Sequence, residues 1–275
     1  MIALFLFIVG LCIGSFINAS VWRLHKQSTL KKKSDKQKYS ISRGRSMCDV
    51  CGHQLAAKDL IPVVSWLSLG GKCRYCKNSI SPEHPLIELL TAVLFLGSYL
   101  WWPWSFDTKG IVLYIFWLVF LSGFVALTVY DLKWFLLPDK IVRPLFVLAL
   151  VQVLLLVTIF GGGKDSLLNA FWGLLIGGGL FYTLFQVSGG KWIGGGDVKL
   201  GGMLGLLIGG PAASLLLLFL ASFLGTIVAI PLLVTGKAKR DTHLPFGPFL
   251  IAAAIIVYVF GASIIAWYHR QFLFY

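Results

Sequence analysis

Two carboxylates in this chain stand where carboxylates are costly. Asp131 closes an apolar run in "LTVYDLKWFLLPD", and Asp197 follows three glycines in "WIGGGDVKL". The chain has 11 acidic residues in all, and an ionised side chain inside a membrane segment costs about 3 kcal/mol even on lenient insertion scales. Each acid near such a segment is therefore a candidate for chemistry. Two carboxylates brought face to face cannot both ionise cheaply, so they share a proton; one acts as base toward a water while the other donates to a scissile carbonyl. That is the chemistry of an aspartyl peptidase, and it needs no metal. Gly194, Gly195 and Gly196 allow close backbone approach and unusual dihedrals beside the second carboxylate, so an extended peptide can lie against it. Each aspartate also has a purely structural reading: Asp197 caps the helix that begins there, and Asp131 pairs with Lys133. Asp139, after Pro138, reads as a cap or loop residue. Glu88 either holds a substrate amino terminus or meets a nearby lysine.

A second set is made of sulfur. "CDVC" supplies Cys48 and Cys51, "CRYC" supplies Cys73 and Cys76, and 21 residues separate the two pairs. Four thiolates suit tetrahedral zinc in a small module that has too little core to fold alone. Disulfides are disfavoured if this loop faces a reducing compartment, and a redox pair leaves the second Cys-x-x-Cys unexplained. The intervening "LIPVVSWLSLGGK" reads as a hydrophobic hairpin. His53 is a polar neighbour or a substitute ligand, and Cys12 packs within an apolar segment.

The elements that must position these residues are membrane segments. With 57% hydrophobic residues and a mean hydropathy of +0.83, the chain cannot present a solvated surface around a single core. Apolar runs at about 2–22, 86–102, 110–130, 141–160, 167–187, 198–209, 212–234 and 248–268 predict an all-α polytopic membrane protein. The expected architecture is a bundle of about eight transmembrane helices with a small cytoplasmic zinc-binding domain. Three regions follow: residues 1–22, a first transmembrane helix; 23–85, the zinc-binding domain with a basic linker, "HKQSTLKKKSDKQKYS"; and 86–275, a transmembrane core. The sixth run is short. The first has no basic residue before it and no small-residue cleavage site after it, so it reads as an uncleaved anchor.

Residues 23–85 hold 13 of the 24 Lys and Arg, and the loops near 131–143, 188–199 and 236–246 add three, two and three. Placing the amino terminus outside puts all of them on the cytoplasmic side, as the positive-inside rule requires. The net charge of +13 is thus a topology signal and a source of lipid-headgroup contact, not a nucleic-acid footprint.

Read together and in order, the motifs resemble the type IV prepilin peptidases, bifunctional leader peptidases and N-methyltransferases. "GSFINASVWRL" is similar to that family's amino-terminal signature, and "RSMCDVCGH" with "LIPVVSWLSLGGKCRYC" to its zinc-bound domain. "DLKWFLLPD" matches an aspartate, six residues and Pro-Asp; "GGGD" matches Gly-x-Gly-Asp; "LPFGPFL" resembles a Pro-Phe-Gly-Pro loop. The resemblance implies that Asp131 and Asp197 are the catalytic pair and that Cys48, Cys51, Cys73 and Cys76 bind zinc. It further implies that prepilins or pseudopilins are cut after a glycine at the cytoplasmic membrane face and then methylated from S-adenosylmethionine. Gly71 and Lys72 match a Gly-Lys pair associated with methyl transfer, to which Glu88 is added. One departure is "EHP" (Glu83 to Pro85) where the family usually has Arg-Tyr-Pro. The competing functions are a transporter or ion channel that binds cations or protons at the aspartates, and a membrane scaffold whose zinc module recruits a partner.

Overall fold

The computed structural model describes residues 1–32, 36–37, 39–41, 44–236 and 244–272. Part of the lysine-rich linker (33–35 and 38) and of the last basic loop (237–243) lies outside the described residues. The chain divides into two compact units, Met1–Trp101 and Trp102–Tyr275. Among the described residues there are nine α-helices and no strands, with two isolated bridges.

The first unit is built on α1 (Ile2–Thr29) and α3 (Glu83–Leu100). Helix α1 runs beyond the apolar segment expected to end at residue 22. At 28 residues it spans about 42 Å, because "RLHKQST" contains no glycine or proline to stop it and Leu24 is buried. Part of the expected linker is therefore helix. Glycines bring the two helices together: a methyl on Gly10 would lie 2.6 Å from Ala92 Cα, and one on Gly14 would lie 2.6 Å from Glu88 Cα. These are backbone-to-backbone contacts at four-residue spacing on both helices, the small-residue mode of membrane helix packing. Asn18 adds a hydrogen bond from Nδ2 to the His84 carbonyl, 3.0 Å. Between the helices the chain makes a 3-10 turn (Ala57–Asp59) and the short α2 (Val64–Ser68). The expected hairpin over residues 60–72 is thus a turn of helix; a short apolar run does not by itself separate the two.

The second unit contains α4 (Thr108–Trp134), α5 (Asp139–Thr158), α6 (Gly163–Ser188), α7 (Gly195–Ile208), α8 (Pro211–Val234) and α9 (Gly247–Phe272). The Asp107 side chain caps α4 by accepting from Gly110 N–H, 2.7 Å, and Trp117, Phe120 and Phe124 on that helix are fully buried. Trp117 stacks on Tyr258 of α9 with ring centroids 4.1 Å apart. Helix α7, at 14 residues, is about 21 Å long, short of the ~30 Å hydrocarbon core, and Leu200 through Leu207 are all buried. It is held by α6. A methyl on Gly177 would stand 2.6 Å from the Gly201 carbonyl oxygen, one on Gly178 would stand 3.0 Å from Gly202 Cα, and methyls on Gly173 and Gly205 would each meet the other's carbonyl.

Among the described residues, six helices, α1, α4, α5, α6, α8 and α9, are long and apolar enough to cross a membrane. With α3 and the enclosed α7, they account for the eight apolar segments read from the sequence. The protein is an integral membrane protein.

Candidate active site and metal centre

Asp131 lies in the last turn of α4, and its side chain is buried. The helix stops just after it, where Phe135 takes a left-handed conformation (φ 54°) and donates its N–H to the Asp131 carbonyl at 2.8 Å. The Asp131 carboxylate accepts a hydrogen bond from the backbone N–H of Gly247, the first residue of α9. A methyl at Gly247 would sit 2.5 Å from Asp131 Oδ2. Glycine is therefore required there for space.

Asp197 is in the first turn of α7, half-buried. Its backbone N–H donates to the Gly194 carbonyl (3.0 Å). Asp197 is the third residue of the helix, in the position where the helix dipole favours an anion. The sequence reading made Asp197 the helix cap; the cap is Gly194, and Asp197 lies within the first turn, near enough to Asp131 for the charge of one to act on the other.

Leu137 connects the two. A methyl on Gly196 would stand 3.0 Å from Leu137 Cβ, and one on Gly247 would stand 3.4 Å from Leu137 Cδ2. One side chain from the loop after α4 thus packs on the glycine beside each aspartate. None of Gly194, Gly195 and Gly196 has positive φ. The unusual dihedrals expected there fall instead at Gly189 (φ 58°) and Gly190 (φ 78°), where α6 ends, and the glycines beside Asp197 serve close approach. Asp139 accepts from Arg143 and from Lys199, each at 2.7 Å. Asp139 thus ties the start of α5 to α7 two residues beyond Asp197. Sequence reasoning missed Leu137, Gly247 and Lys199 as neighbours of the acids; the one signal for them was the glycine of "LPFGPFL".

In the first unit the four cysteines converge. The sulfurs of Cys48, Cys51, Cys73 and Cys76 all lie within 4.8 Å of one another, with Cys48 and Cys76 at 3.8 Å. A tetrahedron of ~2.3 Å metal–sulfur bonds places its sulfurs about 3.8 Å apart, so the set fits a metal ion. The two knuckles are built alike. Cys48 N–H donates to the His53 carbonyl (2.9 Å) and Cys73 N–H to the Asn78 carbonyl (2.8 Å). Gly52 (φ 68°) and Lys77 (φ 61°) take the same left-handed turn after the second cysteine of each pair. Backbone N–H groups, that of Cys76 foremost, pull the Cys73 thiol down to about 7. His53 stacks on Tyr75 with ring centroids 3.7 Å apart, and Cys12 is exposed on α1.

The residues expected for methyl transfer are dispersed in role. Gly71 is buried with positive φ (67°), and the Trp66 ring lies 2.9 Å from where its methyl would be. Lys72 is exposed and pairs as a bridge with Ser79. Glu88 is buried and its Oε2 accepts from Val63 N–H at 2.7 Å.

Comparison with known proteins places this geometry in context. Residues 118–230 match the type IV leader peptidase family, and residues 8–102 match the bacterial peptidase A24 N-terminal domain. A prepilin leader peptidase/N-methyltransferase of Pseudomonas aeruginosa is 34% identical over 270 residues, covering 94% of this chain and 90% of the relative. One from Aeromonas hydrophila is 33% identical over 283 residues, covering 97% and 93%. One from Myxococcus xanthus is 34% identical over 246 residues, covering 88% of this chain and 66% of the relative. No solved structure matches the chain. Similarity along nearly the whole length, spanning both the cysteine module and the aspartate-bearing helices, means that the chain belongs to the type IV leader peptidase family.

Proposed function

We propose that the protein is a prepilin leader peptidase: it removes the basic leader of type IV prepilins or pseudopilins at the cytoplasmic face of the bacterial cytoplasmic membrane, then methylates the new amino terminus. The observation that supports this reading is the proximity of Asp131 and Asp197 at the ends of α4 and α7, within range for the charge of one to act on the other, with Leu137 packed on both Gly196 and Gly247. With one proton shared between them, one carboxylate takes a proton from water as the oxygen attacks the scissile carbonyl. The other donates its proton to the carbonyl oxygen, and collapse of the tetrahedral intermediate releases the new amine. Gly194 and Gly195 leave room beside Asp197 for an extended peptide, while Gly196 admits the Leu137 side chain.

In this reading residues 1–22 are a membrane anchor, 23–85 form a cytoplasmic module and 86–275 carry the peptidase chemistry. Zinc is the metal proposed for Cys48, Cys51, Cys73 and Cys76. Four thiolates leave no open position, so its part is to hold the knuckles together. S-adenosylmethionine supplies the methyl group, and Gly71, Lys72 and Glu88 are the residues proposed to serve that transfer. The positive-inside distribution of Lys and Arg supports the cytoplasmic placement of both activities. A transporter or channel has its acids along the permeation path near mid-membrane; Asp131 and Asp197 sit at helix ends, which disfavours that function.

The test is direct. Purified protein is mixed with a prepilin and the products are weighed by mass spectrometry. The expected product has lost its leader after the glycine and, with S-adenosylmethionine present, carries the mass of one added methyl group. An intact substrate overturns the reading.

A further inference from the structure

The first turn of α7 carries Asp197, yet it lies outside the contacts that seat the rest of that helix. The glycines that pack α7 on α6 begin at Gly201, four residues beyond the acid, and continue through Gly202 to Gly205. Ahead of them, a methyl on Gly195 would meet only the edge of the Phe185 ring, at 3.8 Å, and the nearest atoms to a methyl on Gly196 are those of Leu137. Apolar contacts of this kind are non-directional, so they leave the turn free to slide along its axis and to rotate about it.

The missing constraint comes from α5. Lys199 Nζ donates to Asp139 Oδ1 at 2.7 Å, and Arg143 Nη2 donates to Oδ2 of the same carboxylate at 2.7 Å. Charge-assisted hydrogen bonds of this length carry geometric specificity as well as strength. Arg143 stands one turn along α5 from Asp139, the spacing at which helical side chains meet. It occupies one carboxylate oxygen and leaves the other aimed at α7. The carboxylate is not spent on the start of its own helix, because the cap of α5 is Pro138 and no side-chain hydrogen bond caps it. The sequence reading of Asp139 as a cap thus gives way to a bridge between helices.

The two acids therefore sit on a closed circuit. From Asp131 the chain runs eight residues, through Leu137, to Asp139; the ion pair crosses to Lys199; Asp197 is two residues back along α7. Leu137, packed on Gly196, lies across the same circuit.

We propose that Asp139 and Lys199 are positioning residues for the peptidase chemistry: their ion pair sets the depth and rotation of the first turn of α7, and so the approach of Asp197 to Asp131. Arg143 orients the bridging carboxylate. The inference rests on the paired-carboxylate reading above. Both side chains are partly open to water, 37% for Asp139 and 52% for Lys199, and an ion pair so exposed contributes little to stability. Its effect is on rate, because displacing a catalytic group by about 1 Å costs roughly a hundredfold.

The experiment is a double-mutant cycle on the full chain, purified in detergent with its metal, with prepilin cleavage followed over a range of substrate concentrations. Lys199→Met and Asp139→Asn should each lower kcat by roughly tenfold to a hundredfold, with KM within about twofold of the parent and the melting temperature close to it. The double variant should be no worse than the poorer single one, as expected of two groups that act through one contact. Lys199→Arg, which keeps the charge, should recover part of the rate. Parental kcat in either single variant overturns the proposal, as do losses that multiply in the double or a kcat that falls only in step with the melting temperature. A raised KM with unchanged kcat also overturns it, because Lys199 then binds substrate.

A second readout does not depend on cleavage. In a Cys12→Ser background, Asp131→Cys and Asp197→Cys are joined by a short bis-thiosulfonate reagent and the linked peptides are mapped. Adding Lys199→Met should slow this crosslink by roughly tenfold. An unchanged rate overturns the proposal, and so does the lack of any crosslink while Lys199 is present, because the turn is then not held against Asp131. A slowed crosslink in a chain whose parent leaves prepilin intact keeps the strut and sinks the peptidase. Cleavage at the parental rate in the Lys199 and Asp139 variants sinks the strut and spares the peptidase.

Discussion

Gly247 gives its backbone N–H to the carboxylate of Asp131 from so close that a single methyl group would lie 2.5 Å from Oδ2. The start of α9 is thereby part of the acid's setting, although 116 residues separate the two along the chain. Gly247→Ala must displace either the carboxylate or the helix. Misplacement by about 1 Å can cost roughly a hundredfold in rate, so prepilin processing by Gly247→Ala should fall on that scale while metal content is unchanged. Processing at the parental rate would show that Asp131 does not depend on this contact.

Gly173, Gly177, Gly201 and Gly205 hold α6 and α7 at backbone contact without touching either aspartate. Gly205→Ala puts a side chain against the Gly173 carbonyl. The expected cost is about 1–3 kcal/mol of overpacking, read as a lower melting temperature, with processing reduced because α7 carries Asp197. A variant with unchanged melting temperature and processing would mean that the two helices are free to separate slightly.

How much of this was legible beforehand divides along physical lines. Long apolar runs declare themselves, because crossing ~30 Å of hydrocarbon takes ~20 residues, and the eight runs reappear as helices. The four cysteines declare themselves because Cys-x-x-Cys spacing is a local constraint of one turn, which the structure repeats at Cys48–Cys51 and Cys73–Cys76. What stayed hidden was partnership. Close approach is expected of the glycines in "GGGD", but nothing local says that Gly196 meets Leu137 or that Gly247 meets Asp131. Four-residue glycine spacing is visible at 173–177 and 201–205, but it becomes a contact only once the two helices are known to be neighbours. The two differences have separate causes: at 60–72 a short apolar run does not distinguish strand from helix, and at the end of α1 the polar residues after 22 do not stop a helix that continues to Thr29 with Leu24 buried.

Arg74 Nε donates to Asp59 Oδ1 at 2.7 Å, and Ala56 N–H and Tyr75 O–H add bonds to Oδ2, each at 3.2 Å. Chief among these, the Arg74 bond holds the Asp59 carboxyl below its ordinary value. With the folded pKa below the unfolded value of about 3.9, the stabilisation is complete above about pH 4 and is lost only as pH falls through the lower folded value. Asp59→Asn should therefore cost on the order of 1 kcal/mol, discounted because the Arg74 end is open to water, with a deficit that is constant across the neutral range. A deficit that fades on moderate acidification would assign the effect to another group.

Metal content distinguishes the five cysteines. Cys48→Ser and Cys73→Ser should each abolish stoichiometric zinc, since a four-thiolate site that loses a ligand is no longer closed. Cys12→Ser, on the exposed side of α1, should retain about one equivalent per chain. Parental zinc in Cys48→Ser, measured by elemental mass spectrometry, would remove the metal from that site.

The central claim is that Asp131 and Asp197 act as one unit on a single water. Prepilin cleavage should be measured for Asp131→Asn, Asp197→Asn and the double variant in the same membranes. Groups that work together are not additive, so each single variant should lose all measurable processing and the double should be no worse than either. Processing that survives in one single variant, or losses that multiply in the double, would contradict the account.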